Sequence, residues 1–147
     1  MAVAAPALPW IAAGLAGMSA IQQGNAAAAE NEFNANVSSQ DAQIADMDAE
    51  FAAGRFREDT ARLLGAQAAA TGKNGLAASG SPMLIMAETA ADAEIDALNI
   101  RRRGAVEAGR LRTQGGFYNL AGASAQKAGY LGAGSALLTG ASSFFED

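Results

Sequence analysis

The chain has 147 residues, a formal net charge of −5 and neither Cys nor His. Without His it lacks the usual general base and the commonest transition-metal ligand, and without Cys it lacks disulfides and thiolate zinc sites. Its acidic residues do not follow the spacing of a calcium-binding loop, and its sequence contains no phosphate-binding loop motif. We therefore expect no enzyme, no cofactor and no metal site, and the negative charge argues against sequence-specific nucleic-acid binding.

The composition favours helices with little bulky core. Half of the residues are apolar, but Ala dominates, and there are only six Phe, two Tyr and one Trp. Ala is the best helix former, while β-branched residues are scarce, so we predict an all-α protein. Ala also adds little buried area, which favours extended helices packed through small residues over a globular core.

Residues 1–21 contain no charged side chain. A secretory signal is disfavoured, because no basic residue precedes the apolar stretch. A transmembrane helix would be shortened by Pro6 and Pro9 to fewer than the roughly 20 residues that a span needs. A third interpretation is a tightly packed helix that enters a bilayer only with partners. Ala13 and Gly17 have the small-residue spacing that such packing uses.

Residues 22–70 are predicted to form one long polar helix, because they contain no Pro and only three Gly. Apolar residues recur there at alternating steps of three and four, with Gln40 as the one polar interruption. This spacing is typical of a narrow coiled-coil stripe, and we expect its members in the core. The stripe consists of Phe33, Val37, Ile44, Met47 and Phe51.

Residues 71–82 are predicted to reverse the chain. Gly72 and Gly75 suit the left-handed conformation that ends helices. Ser81 followed by Pro82 indicates a helix N-cap with Pro in the first helical position.

A second helix is predicted over residues 82–113, with two apolar faces. We expect one face to contact the hairpin partner and the other to contact a neighbouring copy of the chain. The first face consists of Met83, Met86, Ala90, Ala93, Ala97 and Ile100, and the second of Leu84, Ala91, Ile95 and Leu98.

Residues 114–147 form an apolar, Gly- and Ala-rich segment in which small residues recur every four positions. Crowded packing in an oligomer and entry into a membrane both remain open for this segment. With the N-terminal pair, the candidate residues for oligomer or membrane packing are Ala13, Gly17, Ala121, Ala125, Gly129, Gly132, Ala133, Ala136 and Gly140.

Charge blocks predict how the chain folds back on itself. Residues 30–50 are acidic without Lys or Arg, and residues 101–112 are rich in Arg. If the chain reverses within 71–82, acid faces base wherever paired residue numbers add up to about 150, as in an antiparallel helical hairpin. Such patterns fix register more than they add stability. The candidate pairing residues are Asp46, Asp48 and Glu50 with Arg101, Arg102 and Arg103; a nearer match joins Arg55, Arg57 and Arg62 to Glu88, Asp92, Glu94 and Asp96.

Three blocks, at residues 80–90, 94–101 and 129–141, resemble the small internal virion (ejection) proteins of short-tailed bacteriophages. The resemblance implies a protein that is packaged near the portal or tail and released at infection, while the second apolar face of the second helix predicts that it assembles as a homo-oligomer. It would then help to form a conduit for DNA across the host envelope. The implied partners are the portal, tail or larger internal proteins and host membrane lipid.

Two alternatives to an ejected protein remain open. The first is a non-ejected head–tail or tail-lumen component that bridges larger virion proteins. The second is a phage protein that disrupts membranes at lysis. This alternative is weaker, because such proteins need uninterrupted transmembrane spans and charged tails, and the acidic helix at residues 30–50 is unlike that.

Overall fold

The computed structural model describes residues 8–73 and 80–142, and all of them except Gly80 are helical. Helix α1 covers Leu8–Lys73 and helix α2 covers Ser81–Ser142. The helices pack against each other in antiparallel order, as contacts between Gly24 and Gly129 and between Glu50 and Arg101 show. The expected all-α hairpin is therefore confirmed, whereas its assembly as an oligomer stays a prediction.

Residue contacts divide the chain into two units, and each unit contains part of both helices. The terminal unit combines residues 1–39 with residues 113–147, and the central unit comprises residues 40–112. The charge pairs between the two helices lie in the central unit, and most of the Gly-rich segment lies in the terminal unit.

The helices are longer than the sequence patterns predicted. Helix α1 begins at Leu8, well before residue 22, and continues through Gly72, which therefore does not end it. Gly75 lies outside the described residues. Helix α2 was expected to end near Thr113 but continues to Ser142. Glycine disfavours helices by about 1 kcal/mol, but at Gly115 a Cβ would lie 3.2 Å from the Ala35 carbonyl oxygen, so this glycine allows close helix contact.

The start of α2 lies one position earlier than predicted. Gly80 has a φ of +75°, and its carbonyl accepts a hydrogen bond of 3.2 Å from the Leu84 amide. Gly80 is therefore the N-cap, and Ser81 and Pro82 take the first two helical positions. A glycine adopts this positive φ without steric cost, which explains why it displaces Ser81 from the cap.

The contact between the helices consists of small side chains. Among the described residues no large side chain is fully buried; the buried apolar positions are Ala13, Ala35, Ala42, Ala53, Ala97, Ala108 and Ala133. The prediction that the Phe33–Phe51 stripe forms the core is wrong, because Phe33 is 67% exposed and Phe51 is 65% exposed. An α-helix turns by about 100° per residue, which places Phe51 about 180° around α1 from Ala42. The apolar stripe thus lies on the back of the helix.

Candidate functional site

The predicted packing residues of the terminal unit lie where its two helices touch. Ala13, Gly17, Gly129 and Ala133 are buried there. A Cβ placed on Gly17 would lie 3.6 Å from the Ala133 carbonyl oxygen, which is an ordinary contact distance. The helix contact within one chain therefore accounts for their burial.

The remaining predicted packing residues are less enclosed. Ala125, Gly132, Ala136 and Gly140 are half-buried, and Ala121 is exposed. A Cβ on Gly132 would meet only the Ala20 methyl group, at 3.5 Å. Several of these small residues thus lie in the helix contact within one chain, Ala121 does not, and their use in oligomer or membrane packing stays a prediction.

Two glycines that the sequence analysis did not single out make closer contacts than most of those it did. A Cβ on Gly24 would lie 2.9 Å from the Cα of Gly129, and a Cβ on Gly104 would overlap the Ala49 methyl group. The register predicted by the charge blocks could have identified both, because each faces a small residue where the numbers add up to about 150.

The central unit carries three ion pairs between its helices. Arg57 donates two hydrogen bonds to Glu94, at 2.8 and 2.6 Å, and Arg101 donates one of 3.0 Å to Glu50. Arg112 pairs with Asp46. The residue numbers of the first two pairs add up to 151, so the predicted register is confirmed.

Only part of the predicted charge pairing is present. Glu50 meets Arg101 as expected, but Asp46 pairs with Arg112 rather than with the Arg101–Arg103 run. Within the described residues, no ion pair includes Asp48, Arg102 or Arg103. These three side chains are exposed and keep their charges available on the surface.

The Arg57–Glu94 pair perturbs the titration of both groups. Hydrogen bonds from the guanidinium lower the pKa of Glu94, and the same bonds raise the pKa of Arg57. Both side chains are partly exposed, at 39% and 51%, so water screens the attraction and the pair fixes register more than it adds stability.

Large apolar side chains line the outer faces of the hairpin. In the central unit, Ile44, Met47 and Phe51 project from α1, and Leu98 and Val106 project from α2; all are at least half exposed. The sequence pattern predicted two apolar faces on α2, with Leu98 in the second of them, but did not single out Val106, and it placed the α1 set in the core. These outer faces are the candidate interaction surfaces of the protein.

No cluster of His, Cys, Asp or Glu with the arrangement of a metal site lies among residues 8–73 and 80–142. Within the same ranges, neither helix has a stretch of sufficient length and hydropathy for a membrane span. In comparisons of the whole chain, no protein-family model, curated protein or solved structure matches it.

Proposed function

We propose that this protein is an internal virion protein of a short-tailed bacteriophage. It is packaged near the portal or tail, leaves the particle at infection and helps to form a conduit for DNA across the host envelope. The observation that carries this proposal is the sequence resemblance of residues 80–90, 94–101 and 129–141 to the ejection proteins of such phages.

The placement of these three blocks supports an assembling protein. All of them belong to or border α2. Each of the second and third blocks contributes both to the helix contact, through Ala97 and Ala133, and to the exposed surface, through Ile95 and Leu131. A chain that packs through its small residues and exposes its large apolar ones has surfaces available for partner proteins.

The main proposed partners are therefore other proteins. Soluble monomers rarely expose extended apolar faces, so the outer faces favour association with further copies and with the portal, tail or larger internal proteins. In the particle these contacts would cover side chains such as Phe51 and Leu138, which are 65% and 73% exposed in the single chain.

We also propose contact with host membrane lipid after release. In the terminal unit Leu15, Leu131 and Leu138 are all more than 60% exposed, close in sequence to the Ala- and Gly-rich ends. Flotation of the purified chain with phosphatidylethanolamine–phosphatidylglycerol vesicles tests this step. Co-flotation that is lost in a Leu131→Ser, Leu138→Ser variant is the expected result. Recovery of all protein at the bottom of the gradient would overturn it.

The decisive experiment for the function compares intact particles with particles triggered to release their DNA. Quantitative mass spectrometry should show loss of this chain together with the DNA, while capsid and tail proteins stay constant as internal references. Retention at full copy number would contradict ejection and would identify the protein as a fixed head–tail or tail-lumen component.

A further inference from the structure

We propose that the central unit binds a second copy of itself through two different faces, the back of α1 on one copy and the back of α2 on the next. This inference deepens the self-association included in the proposed function and rests on that part alone.

The two back faces are defined by residues that lie opposite the contact between the helices. Ala42 on α1 and Ala97 on α2 are fully buried in that contact. At about 100° per residue, Met47 and Phe51 lie about 140° and 180° around α1 from Ala42. By the same measure Val106 lies about 180° around α2 from Ala97. Both faces are apolar along their centre and exposed.

The charges that remain after pairing within the chain differ in sign between the two faces. Asp46 and Glu50 are engaged by arginines of α2, which leaves Asp41 and Asp48 on the acidic stretch of α1. On α2, Arg103 makes no ion pair among the described residues. Arg110 pairs only with Glu107 of its own helix, one turn away. Over residues 41–48 of α1 and 103–110 of α2, an acidic, apolar face and a basic, apolar face therefore point in opposite directions from the same unit.

Between residues 41–55 of α1 and 96–110 of α2, these leftover charges match in one antiparallel register. When α1 of one copy lies against α2 of the next, an acidic residue meets a basic one at three positions, each seven residues from the next. The matching pairs are Asp41 with Arg110, Asp48 with Arg103, and Arg55 with Asp96, and in each pair the residue numbers add up to 151. All six residues lie on the same flank of their helices, and in antiparallel packing equivalent flanks meet.

The apolar residues fit the same register. Ile44 comes opposite Val106, and Phe51 comes opposite Leu98, with number sums of 150 and 149. The helix contact inside one chain uses the same sums, as Gly104 facing Ala45 and Ala49 shows. Charge and apolar matching thus agree on one arrangement, in which neighbouring copies are not shifted along the helix direction.

The occupant of these faces is a second copy rather than lipid, because a bilayer surface offers no fixed row of charges that would match acid, acid and base at heptad spacing. The contact joins two different patches and is heterologous, so repeating it builds a ring where the rotation closes and a filament where it does not. An open assembly of this kind leaves the acidic face free at one end and the basic face free at the other.

Sedimentation velocity of the purified full chain tests the contact with two charge reversals. Asp41→Arg with Asp48→Arg makes the α1 face basic, and Arg103→Asp with Arg110→Asp makes the α2 face acidic. Each double variant alone should associate at least about tenfold more weakly than the wild type, because like charges then face each other. Mixing the two variants should restore association, since each contact between one variant and the other again joins acid to base, whereas contacts between copies of the same variant stay unfavourable.

Glu30→Arg with Glu32→Arg is the matched control, because it changes the same charge on exposed residues of α1 outside the central unit. It should associate like the wild type, and circular dichroism should show equal helicity in all variants. A wild type that stays monomeric at every concentration would overturn the inference, and so would association that neither double variant weakens. A mixture that fails to recover would equally exclude the heterologous contact. None of these results depends on whether the protein leaves the virion.

Discussion

Gly24 and Gly129 face each other across the terminal unit so closely that neither position has room for a side chain. A Cβ on Gly24 would lie 2.9 Å from the Cα of Gly129, and a Cβ on Gly129 would lie 3.0 Å from the Cα of Gly24. Because each contact atom belongs to the backbone, a clash cannot be relieved by a rotamer change. The helices can approach to this separation because both positions lack a Cβ atom.

Replacing Gly129 by Ala should therefore destabilise the hairpin, despite the higher helix propensity of Ala. Overpacking of this kind costs about 1–3 kcal/mol, against a propensity gain of about 1 kcal/mol. Gly134→Ala is the matched control on the same helix, because a Cβ there meets nothing within 4 Å. Thermal unfolding followed by circular dichroism should show a lower Tm for Gly129→Ala and an unchanged or higher Tm for Gly134→Ala. Equal shifts would show that the helices are not in close contact.

A reciprocal exchange tests the corresponding contact of the central unit. A Cβ on Gly104 would overlap the Ala49 methyl group and would lie 3.1 Å from the Ala45 carbonyl oxygen. Gly104→Ala should lower the free energy of unfolding, and adding Ala49→Gly should recover part of the loss by vacating the methyl site. A double-mutant cycle from urea unfolding should give a coupling of about 0.5–3 kcal/mol, as for residues in direct contact.

Additive effects in that cycle would contradict the contact. Gly54→Ala provides the control in the same unit, since its added methyl group would point into open space. That variant should be no less stable than the wild type.

The sequence predicted the register of the hairpin but not which residues lie in the contact between its helices. Register follows from charge blocks that span residues 30–50 and 101–112, and Glu50 with Arg101 appears where those blocks align. The side of α1 that faces the partner depends instead on close approach. Two helices that touch through Gly104 and Ala49 leave no space for a ring such as that of Phe51, so the larger apolar stripe turns outward.

Periodicity could not tell the buried side of α1 from its exposed side. The large apolar residues of the Phe33–Phe51 stripe and the buried alanines, which include Ala42 and Ala53, both recur at helical spacing. Hydrophobicity ranks the stripe higher, and that ranking misled the prediction of the core. The continuation of α2 through Gly115 was also missed. In a sequence a glycine indicates the end of a helix unless the residue that it faces across a helix contact is known.

The charge pairs predict a difference among three adjacent arginines. Arg101 bonds Glu50 at 3.0 Å, while Arg102 and Arg103 make no ion pair among the described residues. In dilute solution Arg101→Glu should therefore lower the Tm more than Arg102→Glu does. The loss is small, because an exposed pair contributes at most about 1 kcal/mol. Adding Glu50→Lys to Arg101→Glu should restore the pair with reversed signs and recover the Tm. Equal effects of the two single variants, or no recovery in the double variant, would mean that this pair does not stabilise the hairpin.

Acid should weaken the central unit through Glu94, whose pKa is lowered by the two hydrogen bonds from Arg57. A carboxylate with a folded pKa below its unfolded pKa contributes stability that is complete above the unfolded value and is lost as the pH falls through the folded value. Wild type should therefore melt above Glu94→Gln at neutral pH, and the difference in Tm should shrink once the pH drops below the ordinary Glu range of about 4.3. Glu32→Gln, on an exposed residue with no ion pair among the described residues, should show no such narrowing. A Tm difference between wild type and Glu94→Gln that stays constant or widens in acid would mean that Arg57 does not hold the Glu94 carboxylate in solution.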